Sequence, residues 1–348
     1  MSNIVVIGAG VIGVTTAYTL QKAGYQVTIV AEHFPGEFHS HYTSPWAGAH
    51  WRSVAAQNDI AAQQYDAISF GIFQQLAKNP ETGVMLTQET NFWEKLPHNW
   101  QQPWFAKFSP NYRVLSKEEI PEDCEYGVTY TTATISTTEY MKWLLAEFEQ
   151  LGGKKVVKKL ANISDAFDQS VQAVINCTGL LARTLGGVED LSVYPTRGQV
   201  VLVRAPHIRQ VYLKHGASNI TYIIPRNNGE VTLGGTTQAG DWNEKPDSTT
   251  AAAIIERCIS LCPSLAKDSD SKNLEIIRHG VGFRPTRIGG IRLESEIITH
   301  KGQPIIVCHN YGHGGFGFQS SWGSAQTLLS VLKRAEESLE AKHLVSRL

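Results

Sequence analysis

A chain of 348 residues at 38.4 kDa, 42% hydrophobic and 18% charged, can form about two domains with a sizeable core. Lys+Arg 31 against Asp+Glu 32 leaves a formal charge of −1, which excludes the cationic excess of a nucleic-acid coat or a polybasic membrane anchor. Apolar stretches break well short of the ~18 residues of a transmembrane helix, and the composition is not that of a disordered chain.

The first strand is expected at 4–7, without the basic stretch, apolar segment and cleavage site of a secretory signal before it. A helix at 14–23 and a strand at 26–30 follow. Further helices are expected at 60–77, 138–151, 249–261 and 319–340, and further strands at 171–176, 199–203, 221–224, 230–233 and 304–308. This alternation reads as α/β at the ends and α+β in the middle. Residues 93–112, rich in aromatics and proline, read as a loop-rich wall or as plain packing. Cys124, Cys177, Cys258, Cys262 and Cys308 are odd in number and scattered. No Cys or His completes a zinc set around Cys258 and Cys262, so no metal is expected and the thiols read as reduced and buried, in an intracellular protein.

Gly8-Ala9-Gly10-Val11-Ile12-Gly13 leaves the first strand and opens a helix. The first glycine makes the tight turn, the second lets the backbone approach a pyrophosphate, and the third allows close helix–strand packing at a helix N-terminus that favours phosphate. Glu32, at the end of the second strand, is where an acid meets a ribose hydroxyl. This pattern fits NAD as well as FAD. The segment from His41 to Trp51 separates them: it is rich in Gly and Ala, cannot be a regular helix across Pro45, and offers the Thr43 and Ser44 hydroxyls. A flat ring and a ribitol phosphate can use such a segment; a nicotinamide dehydrogenase does not need it.

With these motifs, the chain resembles the D-amino-acid oxidase family, FAD enzymes that include D-aspartate oxidases. The resemblance is carried by Val6 to Gly13, Ser44-Pro45-Trp46-Ala47-Gly48-Ala49, Asn176-Cys177-Thr178-Gly179 and Tyr222-Ile223-Ile224-Pro225 with Leu233-Gly234-Gly235-Thr236. It continues through Val281-Gly282-Phe283-Arg284-Pro285 to His309-Asn310-Tyr311-Gly312-His313-Gly314-Gly315, in family order. The Ser-Pro-Trp-Ala-Gly-Ala form resembles that of fungal members. The resemblance implies an α/β fold: a Rossmann-like FAD-binding domain with a mixed-sheet α+β substrate domain. Both would be discontinuous, the first from 1–55, 136–190 and 275–348, the second from 56–135 and 191–274. FAD would meet Gly8, Ala9, Gly10, Val11, Ile12 and Gly13, then Glu32, His33, Thr43, Ser44, Ala47 and Gly48, then Thr178 and Gly179, and last Gly312, Gly314, Gly315, Gly317, Phe318 and Gln319.

Oxidation of an amino acid by a flavin needs the substrate held in one orientation more than it needs acid–base power. Arg284, whose guanidinium matches two oxygens, is the family's clamp for the α-carboxylate. By the same resemblance Tyr222 donates to that carboxylate and the Gly315 carbonyl accepts from the amine. No general base is assigned. The products would be a 2-oxo acid, ammonia and hydrogen peroxide from O2.

The substrate side chain is less directly given. Yeast-type members with neutral substrates often carry Asn at the position of His50 and an aromatic at that of Thr237. Animal D-aspartate oxidases carry Arg at the positions of His215 and Thr237. This chain matches neither pattern, yet gathers His50, Arg52, Lys214 and His215 in the stretches that would line the pocket. His50, Arg52 and His215 are therefore the expected partners of an acidic side chain, and a broad neutral D-amino-acid oxidase is the alternative. A nicotinamide dehydrogenase or a non-catalytic dinucleotide binder would leave the later motifs unexplained. The final Ser346-Arg347-Leu348 is a charge-preserving variant of Ser-Lys-Leu, so a peroxisomal import receptor is an expected partner and the peroxisome matrix the expected address. Family members are commonly dimers, and a homo-oligomer is expected.

Overall fold

The computed structural model describes residues 3–168, 170–266 and 270–345; the carboxyl-terminal address at 346–348 lies outside them. In chain order the regular elements are β1 (Asn3–Ile7), α1 (Val11–Lys22), β2 (Gln26–Ala31), α2 (Ile60–Leu76), β3 (Val84–Trp93), β4 (Arg113–Val114) and β5 (Tyr126–Ile135). Then come α3 (Thr137–Gln150), β6 (Lys154–Val157), β7 (Val171–Asn176), β8 (Val193–Arg204), β9 (Val211–His215), β10 (Ile220–Pro225) and β11 (Glu230–Gly234). The rest are β12 (Gln238–Ala239), α4 (Ser248–Leu261), β13 (Glu275–Arg287), β14 (Arg292–His300), β15 (Gln303–Tyr311) and α5 (Gly317–Val345). The described chain divides into two compact units, one of 1–45, 141–195 and 284–348, the other of 46–140 and 196–283.

The first unit is built on a six-stranded sheet in the order β14-β15-β7-β1-β2-β6. β1 pairs in parallel with β2 and β7, β15 in parallel with β7, β6 in parallel with β2, and only β14 runs antiparallel, along β15. Parallel strands buried on both faces read as continuous apolar runs, which is why Ile4-Val5-Val6-Ile7 and Ile305-Ile306-Val307 were legible. Val5, Ile7, Val30, Val174 and Val307 pack on Ile163 and Leu185 on one face. Helices α1 and α5 pack against each other, with Tyr18 edge-on to Trp322 at 5.6 Å, and against strands of the same sheet. α5 starts at Gly317, two residues before the expected start.

The second unit carries the larger sheet, β12-β8-β11-β10-β9-β3-β5-β4, with β13 added on β8. The pairs along that strand order are antiparallel except β3 with β9. Val201, Val203, Ile223, Val231 and Leu233 point to α4, where they bury Ile254, Ile255 and Cys258. Residues between those points alternate to the opposite face, because the side-chain period of a strand is two. All five cysteines are buried and free.

Candidate functional site

In the first unit the carboxyl ends of β1, β2, β7 and β15 share one edge. The chain leaves β1 for β2 on one side, while β7 lies on the other, so the β1–α1 turn stands at a topological switch point, where open α/β sheets bind ligands. Gly8 has φ +106, and a Cβ there would lie 2.6 Å from the Cys177 carbonyl oxygen. A Cβ on Gly13 would overlap the Gly8 carbonyl oxygen, so the helix approaches the strand to backbone contact. Gly10 is the N-cap of α1, whose first turn has no acidic residue. Val11 N donates to Ser44 Oγ at 2.9 Å and Tyr42 Oη to the Ala9 carbonyl at 2.8 Å, tying the 42–44 loop to the turn. Glu32, just past β2, pairs with Lys159 at 3.0 Å, and His33 Nδ1 lies 2.8 Å from Glu37.

The β7 end is fixed by side chains. Thr178 donates from its amide and hydroxyl to Asn176 Oδ1, at 3.2 and 2.7 Å. Asn176 Nδ2 lies 3.2 Å from His309 Nδ1, and His309 Nε2 2.8 Å from Glu296. Beyond β15, the 312–315 turn lies against the end of β13. Thr286 bridges to His313, and a Cβ on Gly315 would stand 3.1 Å from Arg284 Cδ. The half-buried Arg284 therefore lays its stem on the Gly315 backbone. Arg287 and Tyr311 both bond Asp190, at 2.7 and 2.9 Å, which anchors this strand end. Phe318 and Gln319 are buried in the first turn of α5.

The second unit collects its own polar face. Cross-strand register pairs Glu89 with Tyr130 and Val211, Asn91 with Leu213, Trp93 with His215, and Leu213 with Tyr222. Residues directly opposite share a face, so Glu89, Asn91, Trp93, Tyr130, His215 and Tyr222 line the side away from α4. Tyr222 lies over Gly234 and Gly235, where any Cβ would collide with its ring. His50 joins this face because residues 49–51 form a short extra pairing along β5: Ile135 N donates to Ala49 O at 2.9 Å, Trp51 N to Ala133 O at 2.8 Å, and His50 stands opposite Thr134. Arg52, half-buried, is close enough to bias the ionisation of Glu89 and His215.

Several expected residues differ in detail. The Ser44–Trp46 segment is a single 3-10 turn holding Pro45. Ala47 and Gly48 stand in the second unit, where the buried Arg226 donates to their carbonyls at 3.1 and 3.0 Å. His50 and Arg52 also stand in that unit, not with the amino-terminal piece. His215 is not available as a cation: burial, then Arg52, pushes it to about 3, and it stacks on Trp93 at 4.7 Å. Lys214 ion-pairs with Asp123 and, at 3.3 Å, Glu94. Thr237 is exposed. Glu89 and Asn91 were missed. Their period-two spacing in a strand was the available signal, but a Gln-Glu-Thr-Asn run reads as a solvated edge.

The sequence matches the family model described as FAD dependent oxidoreductase over residues 3–330. It is 37% identical to a D-amino-acid oxidase of Schizosaccharomyces pombe over 330 residues, covering 93% of this chain and 94% of that one. It is 33% identical to a D-aspartate oxidase of Cryptococcus neoformans var. grubii over 387 residues, covering 95% of this chain and 97% of the other. Among solved structures, a glycine oxidase from Bacillus cereus superposes with TM-score 0.76 at 19% identity, over 96% of both chains, which shows a shared fold.

Proposed function

Because the chain belongs to the family of FAD-dependent oxidoreductases, we propose that it is a D-amino-acid oxidase that prefers acidic substrates, D-aspartate above all. FAD is its cofactor, and the first unit fits that group. A glycine turn without room for side chains opens an acid-free helix N-terminus, and the 312–315 turn follows β15 at the same sheet edge. When bound, FAD supplies the electron sink for oxidising the substrate's C–N bond to an imine.

The protein's part is orientation. Arg284 takes the α-carboxylate through two parallel N–H bonds, and the Gly315 carbonyl beside it accepts from the amino group. Tyr222 donates its hydroxyl to the carboxylate. The amine loses its proton to solvent, and the released imine hydrolyses to a 2-oxo acid and ammonia, with O2 leaving as hydrogen peroxide.

The acidic preference rests on one observation: His50 and Arg52 stand with the sheet face that carries Tyr222. A substrate carboxylate taken out of water needs a cation or several donors, and an apolar side chain gains nothing from such neighbours. The test is kcat/KM for D-aspartate against D-alanine, by peroxide release. His50→Asn should raise KM for D-aspartate about tenfold, the loss of about 1.4 kcal/mol, and leave KM for D-alanine within about twofold. Equal losses on both would remove His50 from side-chain recognition. A wild-type preference for D-alanine would leave the broad neutral oxidase.

The carboxyl-terminal Ser346-Arg347-Leu348 supports residence in the peroxisome, beside enzymes that remove peroxide. Deleting these residues should leave kcat/KM unchanged and move a fluorescently tagged protein to the cytosol. Import that persists without them would remove the address.

A further inference from the structure

At the end of β7 in the first unit runs a line of hydrogen bonds whose directions determine one another. The Thr178 backbone N–H, which can only donate, points to Asn176 Oδ1 at 3.2 Å. The Asn176 amide therefore turns its Nδ2 to the other side, where His309 Nδ1 stands 3.2 Å away. Nδ2 can only donate, so Nδ1 accepts and carries no proton. The proton of the neutral ring is then on Nε2, which faces Glu296 Oε1 at 2.8 Å. The other end of the line agrees, because a carboxylate accepts and so also calls for the proton on Nε2. Burial, the largest influence on His309, holds it below its ordinary value, in keeping with a neutral ring. Asn176 and His309 are buried, whereas Glu296 is exposed on the edge strand β14, with Arg292 also approaching it at 3.8 Å.

The line ends at the glycine turn. Cys177 N donates to the Ile7 carbonyl at 2.9 Å, and a Cβ on Gly8 would stand 2.6 Å from the Cys177 carbonyl oxygen and 3.5 Å from Thr178 Cα. Thr178 also gives its hydroxyl proton to Asn176 Oδ1, at 2.7 Å. We propose that His309 and Glu296 are positioning residues for FAD: they set the Asn176 amide, which holds Thr178 beside the glycine turn with its hydroxyl left as an acceptor. Thr178 Oγ would then take a sugar hydroxyl or an amine of the dinucleotide, groups that donate, and not a phosphate oxygen. Reversing the amide would set Asn176 Nδ2 against the Thr178 N–H, donor against donor, and the backbone bond that shapes the turn would be lost. The proposal rests on the reading of Thr178 as a cofactor contact.

The experiment measures the dissociation constant of FAD, from the flavin fluorescence released on dilution of the holoenzyme, in the wild type and in variants. His309→Phe keeps a flat ring but leaves Asn176 Nδ2 without an acceptor, so FAD should be held about tenfold more weakly. His309→Gln carries both an acceptor and a donor and should stay within about threefold of the wild type. Ring-nitrogen chemical shifts of histidine-labelled holoenzyme should show His309 as a single neutral Nε2–H form, its signals assigned by their absence in His309→Gln. Glu296→Ala, at an exposed position, should mix the two neutral tautomers and weaken FAD about threefold. Equal losses in His309→Phe and His309→Gln, wild-type affinity in His309→Phe, or an Nδ1–H form in the wild type overturns the proposal. If His309→Phe does not fold, Glu296→Ala decides, and an unchanged tautomer with unchanged affinity overturns it. Thr178→Ala tests the premise separately: affinity within about twofold of the wild type removes Thr178 from the cofactor contacts, and the proposal with it, but leaves the oxidase reading intact. A loss in Thr178→Ala without one in His309→Phe keeps the contact and overturns only the positioning roles.

Discussion

Arg284→Ala is expected to lower kcat/KM for every amino-acid substrate by about a thousandfold, because removing one partner of a buried, doubly hydrogen-bonded charge pair costs about 2–5 kcal/mol. Steady-state peroxide release on D-aspartate and D-alanine measures it. The two substrates should lose to similar extents, since the α-carboxylate is common to both, in contrast to the selective loss from His50→Asn. Arg284→Lys keeps the charge but not the fork, and should recover only a small part of the loss. The Arg284 stem lies along the Gly315 backbone, so the guanidinium is carried by a rigid support and a shorter or differently jointed cation reaches a different place. Retention of a tenth or more of wild-type kcat/KM in Arg284→Ala would move the carboxylate clamp to another residue.

Gly13→Ala should abolish FAD retention. The added methyl would overlap the Gly8 carbonyl oxygen, a backbone atom that cannot rotate aside, so α1 must shift away from β1 or the turn must open. Small-to-large changes in a close-packed place cost about 1–3 kcal/mol, and a backbone collision falls at or above that upper end. The flavin-to-protein absorbance ratio of the purified protein should fall below about a tenth of the wild type, with a drop in Tm of several degrees. Gly10→Ala is the informative contrast: its methyl would meet only Ser44 Oγ, at 3.2 Å, a side-chain atom that can yield. That variant should keep its Tm to within about 2 °C and lose affinity for FAD only. A Gly13→Ala protein that stays yellow would show that the helix can retreat without disturbing the cofactor.

The sequence was most legible where the backbone itself dictates the residue. Gly8 and Gly13 must be glycine because of a positive φ and a backbone contact, so the turn could be read without a fold in hand. β1, β7 and β15 could be read as apolar runs because both faces of a parallel sheet are covered. β3, β5 and β14 were not among the expected elements. β14 is an edge strand with four consecutive exposed residues, and an edge strand needs no apolar alternation. β3 carries Thr, Gln, Glu and Asn and β5 is rich in Thr, and their character comes from pairing with each other over ten positions. Such long-range pairing leaves no local signature.

The same distinction divides the candidate site. Arg284, Tyr222 and the 312–315 turn sit in motifs whose neighbours are fixed locally. Glu89 sits in no motif. Its surroundings include His50 and Tyr130, which reach it from other segments of the sheet, and a lone glutamate in a polar stretch gives no sign of this. His215 shows the reverse error: a histidine near cationic neighbours reads as a further cation until its stacking on Trp93 and its burial are known.

The interleaving of the two units along the chain has a consequence for biosynthesis. In the first unit β7 lies between β1 and β15, so the sheet that starts with Asn3–Ile7 is completed only when Gln303–Tyr311 has left the ribosome. Until then β7 presents an unpaired apolar edge, and α1 lacks the helix that packs on it. A nascent chain in this state has high contact order and an open template for strand addition, the conditions under which folding is slow and self-association competes. Yield of the folded enzyme on overexpression is therefore governed by events at the end of translation, and chaperones that shield apolar strands during synthesis should raise it more than any change at the amino terminus.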